Sequence, residues 1–477
     1  MGTIKQTNRG RIASLVKLGA ARIRVLAAST RPVHLDTEAA LRRRWAELPE
    51  PVRTPAQLLG RRSTGCEGTH GVFPRCDLAC TPCYHARIAN NVRTDGRHTL
   101  EQIDRQMGYL RSVRGTGQHA QLIGGEVTLL DPEEHAAALA TMHAHGRKPM
   151  SMTHGDFDYD YLKRLAVGPD GRRRFDLLRF AGHFDSLMLG RRDLPRPRTE
   201  AELDPYRRRF VQQFQRLRRE HGVRSDLAHN MTVTPRNLDQ VADVVRTGLG
   251  MGFGMMSFQP AAYVGNPQRW REDFHAVGID SVWREIERGA GTRLPWRHLQ
   301  MGDERCNRSA YGVLAGGHWT PLLDDRNRRD LRARDAFLDA FGGMDFDRPR
   351  AALAIAVARV IASHPRTVPI ALAWSARFVR RTGLGRLLGG RPHAVTFVVH
   401  AFMDADVVRP AWEALQRGET AADPKVRAAQ ERLRACSYAM AHPDEDRLVP
   451  ACVQHSVLDP EENARLARLL PLSAAGS

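Results

Sequence analysis

From about residue 66 to 320 the chain alternates short β-prone runs with amphipathic helical stretches, and this alternation narrows the fold more than any other feature. Apolar runs fall at 121–123, 149–153, 177–181, 230–234 and 255–259. Helical periodicity fills 100–114, 133–145, 204–221 and 238–249 between them. Strands separated by helices pair side by side through crossover connections, which gives a parallel sheet, open or closed into a barrel. The expected class is therefore α/β.

The flanks read differently. Residues 1–60 are predicted to form a basic helical extension, with one amphipathic segment over 4–26 and a second helix near 35–48 that Asp36 could cap. Residues 61–325 would form the core. Residues 326–477 would form an α+β C-terminal domain: an apolar helix at 351–364, a basic amphipathic one at 371–388, a buried strand at 393–403 and a helical tail. The net charge of +19 rests almost wholly on arginine, since only five lysines occur. Such basicity suits nucleic acid, phosphorylated substrates or an anionic membrane surface, and selects none of them. No apolar run is long enough to span a bilayer, and arginines interrupt the stretch where a secretory signal would lie, so a cytoplasmic protein is expected, peripheral to the membrane if the basic helices dock there.

Seven cysteines in 477 residues do not make a disulfide scaffold. Their placement is uneven: Cys66, Cys76, Cys80 and Cys83 fall within 18 residues, while Cys306, Cys436 and Cys452 stand far away. Cys76, Cys80 and Cys83 form a C-x3-C-x2-C triplet in a loop after an extended stretch. Zinc sites pair their ligands at short spacing and would need a second pair from elsewhere. A cubane iron–sulfur cluster takes four ligands, so three thiolates leave one iron open to an exogenous molecule.

This triplet, with Tyr84 directly after it, resembles the signature of the radical S-adenosylmethionine (radical SAM) enzymes. The resemblance implies a [4Fe–4S] cluster on Cys76, Cys80 and Cys83. Its open iron would bind the amino and carboxylate groups of S-adenosylmethionine, and an electron from a donor such as ferredoxin or flavodoxin would cleave that molecule to methionine and a 5′-deoxyadenosyl radical. Gly124, Gly125 and Glu126 end the second predicted strand about 40 residues later and resemble the family's GGE motif, whose backbone and carboxylate meet the amino group. The glycines would allow close backbone approach and the carboxylate would suit an ammonium.

The implied fold is a partial (β/α)6 TIM-type barrel over roughly 66–320, with its site at the carboxyl ends of the strands. His183 and Asp185 would then end the fourth strand, Asn230 and Thr232 would lie on the fifth and Gln259 on the sixth, in reach of ribose, carboxylate or adenine.

Cys306, Cys436 and Cys452 are a candidate second cluster site, with Cys66 or His455 as a fourth ligand. The segment 436–452 reads as a hairpin with Asp444–Asp446 at its turn, which brings two thiols together. A cysteine after the barrel and a C-terminal pair is loosely similar to the tetraether-lipid-synthase group and the class D radical SAM methylases, though those carry more upstream cysteines. That similarity implies carbon–carbon coupling or methylation of an unactivated carbon on a lipid-like substrate. Radical SAM modification of RNA or a peptide is the alternative within the superfamily, and a zinc-stabilised nucleic-acid-binding protein is the alternative outside it. Two other motifs carry no chemistry. The glycines of 248–256 follow a helix and precede a strand, the reverse of a dinucleotide loop. Asp156, Asp158 and Asp160 lack the glycine and distal glutamate of a calcium loop and read as helix capping.

Overall fold

The computed structural model describes residues 30–85, 87–265 and 267–472. The basic segment 4–26 lies outside them. The sheet has eleven strands: β1 (Cys66–Gly68), β2 (Gln118–Leu122), β3 (Arg147–Thr153), β4 (Leu177–His183), β5 (Arg224–Val233), β6 (Met255–Pro260), β7 (Asn307–Ala315), β8 (His318–Pro321), β9 (His393–His400), β10 (Tyr438–His442) and β11 (Arg447–Pro450). Their order is β8-β7-β9-β6-β5-β4-β3-β2-β1-β10-β11.

Every neighbouring pair from β10 through β1–β6 to β9 is parallel. β1–β6 thus run parallel side by side, with one further parallel strand on each side, both drawn from the C-terminal third. β11 and the β7–β8 hairpin close the two edges antiparallel. The sheet curls into a half-barrel, mixed α/β overall.

Helices α1 (Leu35–Glu47), α2 (Gly96–Arg114), α3 (Pro132–Ala144), α4 (Tyr159–Ala166), α5 (Asp204–His221), α6 (Val241–Leu249) and α7 (Ile279–Ala290) precede β7. Local chemistry sets their ends. The Asp95 carboxylate accepts from the His98 amide to start α2, and Gly115 with φ of 70° ends it. Asp131 and Glu134 form a capping box on α3, with Pro132 at its first position. Asp158 accepts from the Tyr161 amide to open α4, the capping role read from sequence. Asp36 does not cap α1: the helix starts one residue earlier, and Asp36 lies in its first turn, where its charge favours the helix dipole.

Between sheet and helices lies one large apolar core. On the α5 side Phe157, Phe180, Phe210 and Phe214 pack ring against ring, with the Phe180 and Phe214 centroids 5.0 Å apart. Each buried phenylalanine contributes about 1.5–3 kcal/mol, so this layer holds the parallel strands in register.

Past β8 come α8 (Arg328–Phe341), α9 (Arg350–Ser363), α10 (Thr367–Thr382) and α11 (Leu384–Gly389). The single basic helix expected at 371–388 is broken at Gly383, whose φ of 88° is left-handed. After β9, α12 (Ala405–Gln416) and α13 (Pro424–Arg434) lead into the β10–β11 hairpin, which turns at Pro443–Asp446 as read from sequence, and α14 (Asp459–Leu469) follows. No helix among the described residues is long and apolar enough to cross a membrane.

Candidate active site

A cavity of about 290 Å³ opens at the carboxyl ends of β2–β6. Its wall includes all seven cysteines of the chain, and with them Tyr84, Gly124, Gly125, Glu126, His183, Asp185, Asn230, Thr232 and Gln259. Residues spread over nearly 390 positions therefore meet at one place.

The cysteine loop is pinned to the Gly-Gly-Glu turn by backbone. The Gly125 amide donates to Phe73 O at 2.6 Å and the Glu126 amide to Arg75 O at 2.8 Å. A Cβ on Gly125 would lie 1.9 Å from Arg75 O, and one on Gly124 would lie 2.6 Å from the Phe73 ring. The glycines are thus demanded by the loop that carries Cys76. From the other side the Tyr84 hydroxyl donates to Gly124 O at 3.0 Å, and the His85 ring bonds the same oxygen. Ala79–Cys80 pairs with Met188–Leu189 as a two-residue ladder, and the Arg269 guanidinium donates to Cys80 O at 3.3 Å.

Within the triplet, Cys80 and Cys83 are hydrogen-bonded partners. That bond holds the Cys83 thiol below its ordinary range and pushes Cys80 above it, while burial pushes Cys76 up to about 12. Metal binding therefore has to displace protons from Cys76 and Cys80. The donor set also bears on which metal fits. One tetrahedral zinc, with Zn–S of about 2.3 Å, needs its ligand atoms within about 4 Å of one another. Among the described residues the only group of three or more His, Cys, Asp or Glu whose ligand atoms lie within 4.8 Å of one another is Cys76, Asp77 and His154. The three thiols do not form such a group.

Glu126 is fully buried and both carboxylate oxygens are engaged. Oε1 accepts from the Thr128 amide (3.0 Å), the Thr128 hydroxyl (2.6 Å) and the Thr153 hydroxyl (2.6 Å), and Oε2 accepts from the His154 amide (2.8 Å). The carboxylate clamps the Gly-Gly turn to the end of β3. His154 in turn bonds Asp77 at 2.8 Å, so the acid inside the triplet is also spent on protein.

Asp185 is buried and accepts from His183 Nε2 (2.6 Å) and from the Thr232 and Leu187 amides (3.0 Å each). Burial would raise its carboxyl, but His183 and the two amides hold it below the usual range. Thr232 Oγ1 lies 3.2 Å from His183 Nε2. Asn230 is 4% exposed, and neither its amide nor that of Gln259 bonds a protein group among the described residues. These two amides face the cavity with donors and acceptors to spare.

The distant thiols converge on the same cavity. Burial, with neighbouring thiols adding to it, raises Cys66 and Cys306 each to about 11 and raises Cys452 further; Cys436 lies near enough to all three to add to the effect. The Cys66 amide donates to Ser437 O at 2.7 Å, which sets β1 beside the residue after Cys436. Arg432 Nε donates to Cys306 Sγ at 3.0 Å and its guanidinium also reaches Ala401 O, which ties α13 to the ends of β7 and β9.

Sequence reasoning missed some of the lining. His400 closes β9 in the cavity wall, and burial lowers its pKa to about 4. A polar residue ending an apolar strand was the available signal. His455, considered above only as a ligand, is 4% exposed, bonds Asp459 at 2.7 Å and packs 4.3 Å from the Tyr84 ring.

No family model matches the chain, and no curated protein does. Among solved structures it is similar to Streptococcus suis SuiB bound to precursor peptide SuiA, at 13% identity and a TM-score of 0.28 over 41% of this chain and 38% of that one. It is also similar to native anSMEcpe with bound AdoMet, at 15% identity and a TM-score of 0.27 over 42% and 51% of the two chains. The chain thus spans about half or less of the structures it matches.

Proposed function

We propose that the chain is a radical SAM enzyme. Cys76, Cys80 and Cys83 would ligate a [4Fe–4S] cluster, the backbone of Gly124, Gly125 and Glu126 would receive the methionine moiety, and Cys306, Cys436 and Cys452 would hold a second cluster. Tyr84, His183, Asp185, Asn230, Thr232 and Gln259 would line the nucleoside end. When bound, cluster and S-adenosylmethionine would supply a carbon radical able to take hydrogen from an unactivated carbon. The expected outcome is coupling or methylation of a lipid-like substrate, with ferredoxin or flavodoxin as electron donor.

The protein's own part is positioning. Glu126 and His154 fix the cysteine loop over the strand ends, Asp185 orients His183 and Thr232, and Asn230 and Gln259 offer unpaired amides to a polar ligand. The carrying observation is the convergence of every cysteine, and of every strand-end candidate, on one cavity.

The test is anaerobic incubation of reconstituted protein with S-adenosylmethionine and dithionite. Methionine and 5′-deoxyadenosine should form in equal amounts and vanish in the Cys76/Cys80/Cys83→Ala variant. Colourless protein that forms neither product overturns the reading.

A further inference from the structure

A second and larger cavity, of about 1120 Å³, lies on the other side of Cys66, which lines both. Its walls come from the amino-terminal ends of β2 and β3, from β7 and from α8–α10, with Leu58, Met301, Phe337, Ile355, Ile370 and Trp374 among the lining side chains. It exceeds the few hundred to about 1,000 Å³ usual for a small-molecule site.

Most charged groups on its wall are already committed. Lys148 bridges Asp345 and Asp347 at 2.6 and 3.0 Å, Arg334 pairs with Asp335 at 2.8 Å, and Arg62 donates to Met344 O at 2.7 Å. What the chamber offers a ligand is therefore mostly hydrocarbon surface, with Arg31 as an exposed cation on its wall.

The helices that roof it carry an unusual outer face. From residue 348 to 403 the chain has nine arginines and no aspartate or glutamate. Leu372, Leu384 and Leu388 are 67%, 59% and 76% exposed, and Ile355, Ile361 and Val368 are exposed too. Arg359, Arg366, Arg380, Arg386 and Arg391 are exposed around them. Only Ala356 and Val360 of α9 are buried. Exposed apolar side chains ringed by unopposed arginines are what a helix needs to lie in the headgroup layer of an anionic bilayer.

We infer that α9–α11 dock on an anionic membrane and that the chamber beneath them takes a long alkyl chain from an anionic lipid, directed toward Cys66 and the cysteine-lined cavity. Charge complementarity selects the lipid over a neutral one, and the chamber roof and the docking face share α9 and α10. That this chain is the substrate rests on the radical SAM reading; that it binds does not.

The test uses full-length, cluster-reconstituted protein. Binding of the fluorescent fatty acid cis-parinaric acid reads the chamber, and co-sedimentation with phosphatidylglycerol or phosphatidylcholine vesicles reads the face. Ala352→Trp, and Ile370→Trp as a second filling variant, should weaken the probe about tenfold and leave the iron content unchanged. Leu384→Glu/Leu388→Glu should cut sedimentation with phosphatidylglycerol vesicles about tenfold and spare probe binding. Wild type that binds no probe, probe binding indifferent to both filling variants, or equal sedimentation with the two lipids overturns the inference. Probe binding without iron loading leaves the lipid site standing and sinks the radical SAM reading. Iron loading and 5′-deoxyadenosine formation without probe binding do the reverse.

Discussion

Replacing Glu126 separates two accounts of the Gly-Gly-Glu turn. Its carboxylate accepts from two backbone amides and two hydroxyls, with no exposure to water. In Glu126→Ala the hydroxyls can rotate to other partners, but the Thr128 and His154 amides are left buried without an acceptor. Each such orphan costs about 1–3 kcal/mol, so the variant should lose about 4 kcal/mol. Glu126→Gln keeps one acceptor oxygen and turns an NH2 toward the other amide, which orphans one donor at about 2 kcal/mol. Urea unfolding of the metal-free protein under reducing conditions measures both. A loss below about 1 kcal/mol in the alanine variant would show that the carboxylate is not held as described.

Ligand affinity gives the second arm. If the carboxylate met the S-adenosylmethionine ammonium directly, Glu126→Gln would lose a charge-assisted bond of about 1.5–3 kcal/mol, roughly 10- to 150-fold in affinity. With the carboxylate spent on protein, calorimetry on the folded glutamine variant should show a change of about threefold or less.

Three further outcomes follow from other parts of the fold. Gly125→Ala places a Cβ against the Arg75 carbonyl, a backbone atom that cannot swing away, so iron incorporation at the adjacent loop should fall sharply; normal iron content would refute the close approach. Arg147 and Glu67 pair at 2.8 Å with neither exposed, so Arg147→Met should cost about 3–5 kcal/mol in urea unfolding. Adding Glu67→Leu should recover much of that loss, and strict additivity of the two would contradict the pairing. Burial alone would depress His70, but the Glu462 carboxylate 2.8 Å away outweighs it and raises the pKa. The stability from this pair is then full below about pH 6.5 and is lost as pH rises through the folded value. The gap in urea midpoint between wild type and His70→Ala should therefore shrink from about pH 5.5 to about pH 9, and a gap that widens would refute the assignment.

Much of the parallel core was legible because β2–β6 and their helices alternate locally, and the Asp158 cap sits at a fixed offset from the helix it starts. The strand at 393–403 and the hairpin at 436–452 were legible too, but the places of the flanking strands in the sheet were not. β1 has three residues, too few for a periodicity, and β9 and β10 pair with β6 and β1 across long sequence gaps that no local pattern reports. The cysteine triplet stood out because its spacing is local. The meeting of Cys66, Cys306, Cys436 and Cys452 depends on sheet curvature. The bonds made by Glu126 were hidden for a similar reason, since its partners Thr153 and His154 lie 27 and 28 residues away. The apolar run at 351–364 does form a helix, but one that turns much of its apolar surface outward, which periodicity alone cannot reveal.

Iron and sulfide per chain, after anaerobic reconstitution, test the central claim most directly when wild type is compared with the Cys76/Cys80/Cys83→Ala variant. The account predicts about eight irons in wild type and about four in the variant, one cubane lost and one kept on the distant thiols. Equal iron in the two proteins would contradict it.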